Sequence, residues 1–175
     1  MMKPRKIVLL FTWAILFSNL GAQPAEKNLW KAYNFLIGIW EGEGNGQPGQ
    51  GSGTIIFEYS LDNNIIIRKN HNEYPATSDR PAFVHDDLLV YYIEGNYALA
   101  IYFDNEGHLI HYSNSFSADS TSLVMVSDVN PGAPRYRLTY TKLEPSKMKV
   151  TFEFAPPGKP EEFKKYVEGV VRKKI

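Results

Sequence analysis

Runs of β-branched and aromatic residues recur at short intervals from residue 54 onward, with no sign of helical crossovers between them. Residues 54–59 and 65–68 flank Leu61-Asp62-Asn63-Asn64, which carries good turn residues. Residues 88–93 and 97–103 flank Glu94-Gly95-Asn96, a compact hairpin connection. Phe103-Asp104-Asn105-Glu106-Gly107-His108 marks another, in which Gly107 can take the left-handed conformation that closes a type I turn with a bulge. Further strand signals lie at 108–115, 122–127, 136–143, 148–154 and 163–171. With a strand entered at Trp40, they predict about ten strands in simple up-and-down order.

An antiparallel meander of this size must hide its edges, and closing into a barrel does so completely. The predicted fold is therefore an all-β, ten-stranded antiparallel barrel with a short N-terminal helix; a β-sandwich is the alternative, though it would call for Greek-key connections. Tyr97-Ala98-Leu99-Ala100-Ile101-Tyr102-Phe103 has no plainly polar alternate set. A barrel around a partly apolar cavity accounts for that, and so does a filled core. The inward or outward sense of each strand stays open, because a slip of one residue reverses every side chain.

The first residues read as an export leader. Lys3, Arg5 and Lys6 precede an apolar run over 7–17, and Gly21-Ala22 supplies small residues for cleavage after Ala22, with Ala25 as a second choice. The run is about half the ~20 residues of a spanning helix, so no membrane span is expected after cleavage. Domains are thus expected as a signal peptide over 1–22 and one barrel domain over 23–175. The chain has no cysteine, which suits an exported domain large enough to fold without disulfides, periplasmic or secreted. Taking the three basic leader residues from nineteen leaves sixteen against nineteen carboxylates, a net charge of −3. Nucleic acid is not an expected partner, since phosphate binding needs a clustered basic surface. Arg172-Lys173-Lys174 reads as a solvated chain end.

Within 26–37, Leu29, Trp30, Tyr33, Leu36 and Ile37 recur at spacings of three and four, which predicts a short helix with one apolar side. Residues 42–53 are glycine-rich and read as a loop or flexible connection.

Chemistry-bearing residues are sparse. No Gly-x-Ser-x-Gly elbow occurs, and Gly42-x-Gly44-x-Gly46 precedes no helix that could cradle a phosphate. His108 and His111 are three apart, so a strand turns them to opposite faces and no shared metal is expected. His85-Asp86-Asp87 reads as a polar turn leading into a strand, and His71 as polarity at the end of one. Arg135 and Arg137 share one strand face, while Tyr136, Leu138 and Tyr140 share the other. Were Arg137 or Arg68 to face inward, its guanidinium could meet a ligand carboxylate. The candidate ligand-binding residues are Trp40, Arg68, His71, Tyr102, His108, Arg137 and Tyr140; none is assigned to catalysis or to a metal.

Phe35-Leu36-Ile37-Gly38-Ile39-Trp40-Glu41-Gly42-Glu43-Gly44 resembles the opening of nitrobindin-like barrels of the lipocalin-like group, where a Leu-x-Gly-x-Trp-x-Gly segment joins a short helix to the first strand. The resemblance implies a ten-stranded barrel. It also implies haem held by a histidine near the C-terminal strand, yet residues 154–175 contain none, and Tyr166 stands in that region. Haem is possible by resemblance only, and no cofactor is predicted. Asn70-His71 is similar to a segment that the family places on the other side of the pocket.

These readings converge on an exported barrel that binds a small apolar or amphipathic molecule. The alternatives are an enzyme using His71, His85 or His108 beside Asp86 or Asp104, and an envelope interaction domain with a filled barrel. Sequence leaves the oligomeric state undetermined.

Overall fold

The computed structural model describes residues 30–44 and 52–174. The leader expected over 1–22 lies outside them, as do the first part of the expected helix and most of the glycine-rich stretch. The strands are β1 (Gly38–Gly42), β2 (Ser52–Ser60), β3 (Ile65–Tyr74), β4 (Phe83–Glu94), β5 (Tyr97–Asp104), β6 (Leu109–Phe116), β7 (Ser122–Ser127), β8 (Arg135–Glu144), β9 (Lys147–Ala155) and β10 (Lys164–Lys173). Each pairs antiparallel with its sequence neighbours, and β1 pairs with β10 to close the barrel. The strands form one closed barrel and not two stacked sheets, so the sandwich alternative does not apply.

Three expectations need correction. Among the described residues the helix is a single 3₁₀ turn, Trp30–Tyr33. β4 begins five residues before the strand signal at Leu88, so His85-Asp86-Asp87 lies in a strand and not in a turn. His71 likewise sits within β3.

Local chemistry fixes the entry to the barrel. Gly38 has φ of 130°, and a Cβ there would lie 2.6 Å from Cε of Lys173; glycine meets both demands. Trp40 then turns inward, where its indole Nε1 donates to the Leu36 carbonyl at 2.6 Å. The Lys173 ammonium lies 5.4 Å from the Trp40 ring centre, so the two strands of the seam meet through a cation–π contact.

The two ends of the barrel differ. At one end the 3₁₀ turn forms a plug. Trp30, Tyr33 and Leu36 are buried, and the Tyr33 ring lies edge-on to Tyr91 at 5.8 Å and to Phe116 at 5.1 Å. Burial pushes the Tyr33 hydroxyl up to about 12. Below the plug, Phe57, Ile66, Leu89, Tyr91, Leu123, Met125, Tyr140 and Met148 fill this half of the interior. Each such side chain contributes roughly 1.5–3 kcal/mol by leaving water.

The opposite end is ringed by the connections at 75–82, 105–108, 128–134 and 156–163. Here several inward-facing residues are half-buried or exposed, among them Tyr136, Phe152, Phe154, Tyr166 and Val167. Tyr136 stacks on Phe152, its register neighbour being Phe154, and Tyr166 meets Phe152 and Phe154 edge-on at 6.3 and 6.2 Å. Gly169 faces inward between Val167 and Val171, and a Cβ added to it meets nothing within 4 Å.

Candidate functional site

Alternation along β3, β4 and β5 carries a polar series into the barrel. Ile66 and Leu89 are core residues, so Arg68 and Asn70 on β3, and Asp87 and His85 on β4, share their inner face. On β5 the same face carries Ala100, Tyr102 and Asp104. These six polar side chains form one connected network that climbs from the packed half toward the open end.

At its base Arg68 is buried, pairs with Asp87 and donates to the Tyr140 hydroxyl. Arginine keeps its proton at any accessible pH, so the charge must be met where it sits. Asp87 also accepts from Asn70 Nδ2 at 2.8 Å and lies 3.4 Å from His85 Nε2. Above it, the Tyr102 hydroxyl is 3.2 Å from both His85 Nε2 and Asp104 Oδ2. One hydroxyl proton serves one of them: when Tyr102 donates to Asp104, His85 Nε2 must be the donor to Tyr102. The other ring nitrogen, Nδ1, faces Glu106 at 3.0 Å. Burial raises the Tyr102 hydroxyl far above the ordinary tyrosine value, the nearby Arg68 charge opposing this.

Asp104 ends the network. Its side chain is 4 % exposed, and it accepts the backbone N–H of Glu106 at 3.0 Å and of His108 at 2.9 Å, while His108 Nδ1 lies 2.7 Å away. Burial works against ionising Asp104, but the backbone N–H and imidazole of His108 outweigh it and hold the carboxyl below its ordinary value. The turn closed by Gly107, with φ of 91°, folds His108 back onto Asp104. With Nδ1 engaged, the half-exposed His108 ring leaves Nε2 toward solvent. A cleft of about 180 Å³ lies beside it, lined by Ile110, Ser127, Asp128, Pro134 and Tyr136 among others.

Of the seven candidate residues, Trp40, Arg68, Tyr102 and Tyr140 face inward and His108 stands at the rim. Trp40 and Tyr140 are packed core. His71 and Arg137 do not belong to the interior. His71 projects outward and holds Asp86 at 2.6 Å, and Arg137 grips Glu153 on the outer surface with two bonds of 2.6 and 2.7 Å. The reason is parity: Tyr136 and Leu138 take the inner positions of β8, which leaves the arginines outside. Arg135 is likewise outside, on Glu161.

Asn70, Asp87 and the aromatic wall of β8–β10 were not among the candidate ligand-binding residues, and His85 was named only for the enzyme alternative. Their signal lay in the spacing: once Ile66 is placed inward, Arg68 and Asn70 follow at intervals of two. The inner face of β10 offers Tyr166, Val167 and Gly169 where the resemblance implies a histidine, so the haem ligand set that it implies is not present on that strand. Among the described residues no group of three or more His, Asp or Glu is placed to hold a metal ion. No known family model and no curated protein sequence matches this chain.

Proposed function

We propose that the protein binds one small amphipathic molecule in the open end of the barrel. Its apolar part would lie against Tyr136, Phe152, Phe154 and Val167, and its polar end toward Tyr102, His85 and Asp104. The observation that carries this reading is the asymmetry of the interior. Most inner-wall side chains of the plugged half are buried, whereas at the other end aromatic rings face inward and stay partly wet. Binding sites combine such an apolar wall with a few convergent polar groups. The filled-barrel reading suits the plugged half alone. Export belongs to this proposal on the sequence of residues 1–22, and the nitrobindin-like affiliation on residues 35–44; the affiliation brings a barrel but not its haem chemistry.

Native mass spectrometry of the protein purified after export tests the reading. A stoichiometric organic adduct that is lost in Gly169→Phe supports it, because that substitution fills the open inner space. Failure to bind any amphiphilic dye or lipid-like molecule, in wild type and variant alike, would overturn it.

A second reading rests on one contact. Asp104 holds His108 through Nδ1 and leaves Nε2 free beside a cleft, which is how a carboxylate orients an imidazole as a general base. An activity on any small substrate that is abolished in His108→Gln would favour it.

A further inference from the structure

Most arginines of the barrel hold a carboxylate: Arg68 on Asp87, Arg135 on Glu161, Arg137 on Glu153 and Arg172 on Glu43. Arg80 has no such partner among the described residues, and its Nε is sheltered from water without a hydrogen bond. A buried donor left unmet costs free energy that a bound acceptor recovers.

Arg80 lies in the connection between β3 and β4, at the open end of the barrel. Pro75 and Pro81 bracket this connection and fix its backbone at both ends. Arg80 directly precedes Pro81, which presses it into extended backbone. Its carbonyl accepts the Thr77 N–H at 2.8 Å, so the turn is closed. The neighbouring Asp79 carboxylate accepts from Ser78 Oγ at 2.9 Å.

Two rings carry the guanidinium. Tyr74 and Phe83 are register partners at the ends of β3 and β4, and they stack at 4.5 Å. Counting by twos from Ile66 and Leu89 puts both on the inner face, one row outward of Asn72 and His85. Cζ of Arg80 is 4.3 Å from the Phe83 ring centre and 5.6 Å from that of Tyr74. Burial raises the Tyr74 hydroxyl above its ordinary value; Tyr166 and Glu106 add to this and Arg80 opposes it, as expected of groups gathered at one mouth. An arginine stacked by its face keeps its N–H edge for a carboxylate, which that edge grips with two parallel bonds.

We infer that Arg80 is an oxyanion site at the mouth of the barrel, and that the amphipathic molecule bound there carries a carboxylate at its outer end. The inference rests on the binding reading above and names the class of ligand. Charge sets the direction of binding. Deeper in, Asp87 is already matched by Arg68, and Asp104 is held ionised, so a second anion is disfavoured there. A cationic head finds Asp104 sealed and already accepting from Tyr102, Glu106 and His108. Glu106 is the carboxylate that opposes an anion near Tyr74, and the His85 ring engages it at 3.0 Å.

Isothermal titration calorimetry of the protein purified from cells expressing the full chain tests this. Naphthaleneacetate, naphthaleneethanol and naphthaleneethylamine present three heads on one apolar body. The acetate is expected to bind at least roughly tenfold tighter than the alcohol, about 1.4 kcal/mol, and the amine weakest. Salt weakens the acetate and leaves the alcohol unchanged. Arg80→Gln brings the acetate down to the affinity of the alcohol, and Arg80→Lys, which keeps the charge without the fork, falls between. Lys31→Gln, the same loss of charge at the plugged end, changes none of the three. An unchanged thermal midpoint certifies the fold of each variant. Equal binding of acetate and alcohol, or acetate binding that survives Arg80→Gln, overturns this inference and leaves the binding reading standing. No binding of any of the three overturns both together.

Discussion

Arg68 and Asp87 sit diagonally across β3 and β4, and theirs is the one ion pair among the described residues with both side chains sealed from water, at 5 % and 4 % exposure. A buried pair gives little net stability while intact, and breaking it leaves an uncompensated charge. Asp87→Ala is therefore expected to cost about 3–5 kcal/mol in urea unfolding. Arg68→Met with Asp87→Leu should cost less than Asp87→Ala alone. Equal losses in the single and double variants would mean that the pair is not coupled.

Gly169 has no strained backbone and faces open inner space. Gly169→Phe should change unfolding stability by no more than about 0.5 kcal/mol. Its affinity for an amphiphilic fluorescent dye should fall roughly tenfold or more, about 1.4 kcal/mol. Undiminished dye affinity would place the binding surface elsewhere. Gly53 is the contrast: a Cβ there runs into the Asn72 side chain and the His71 carbonyl, so Gly53→Ala should destabilise by about 1–3 kcal/mol.

The Asp86 hydrogen bond, aided by Glu73, raises the His71 imidazole above the ordinary histidine value. A raised folded-state value stabilises the fold below the ordinary value, and that contribution fades as pH rises through the raised one. NMR titration of the His71 ring should give a midpoint above about 6.5 that returns toward it in Asp86→Asn. Identical midpoints in both proteins would show that Asp86 does not hold the ring.

Asp104 shows the opposite sign. Despite its burial, bonds from His108 and Tyr102 hold its carboxyl below the ordinary value, so its contribution exists above about pH 4 and disappears as pH falls through the folded value. Asp104→Asn should lower the urea midpoint at neutral pH and flatten its fall in acid. A parallel downward shift at every pH would remove Asp104 from the acid response.

The number of strands and their up-and-down order were legible because turn residues mark connections such as 61–64, 94–96 and 104–107 whatever the strands face. Which way each strand faced was not. In β5 the inner positions are Ala98, Ala100 and Tyr102 and the outer ones Leu99, Ile101 and Phe103. Hydrophobic alternation vanishes there because the outer wall is itself apolar, so the pattern attributed to a cavity or a filled core reflects an exposed surface as well. β8 misled in the other direction: Arg137 looked like a ligand group, but its partner Glu153 lies on β9, sixteen residues away and invisible to local spacing. The Arg68–Asp87–Tyr102–Asp104 network needed three strands in register before any two members could be recognised as neighbours.

Pairing of Trp40 with Lys173 and of Gly42 with Val171 places the seam of the barrel between the first strand and the last. A ribosome or an export channel releases the amino end first, so Trp40 and Glu41 can pair with β2 early while their other side waits until residues 171–173 emerge. The barrel therefore closes last at this seam, and a truncation that removes Val171 to Lys173 takes away the pairing that joins β1 to β10.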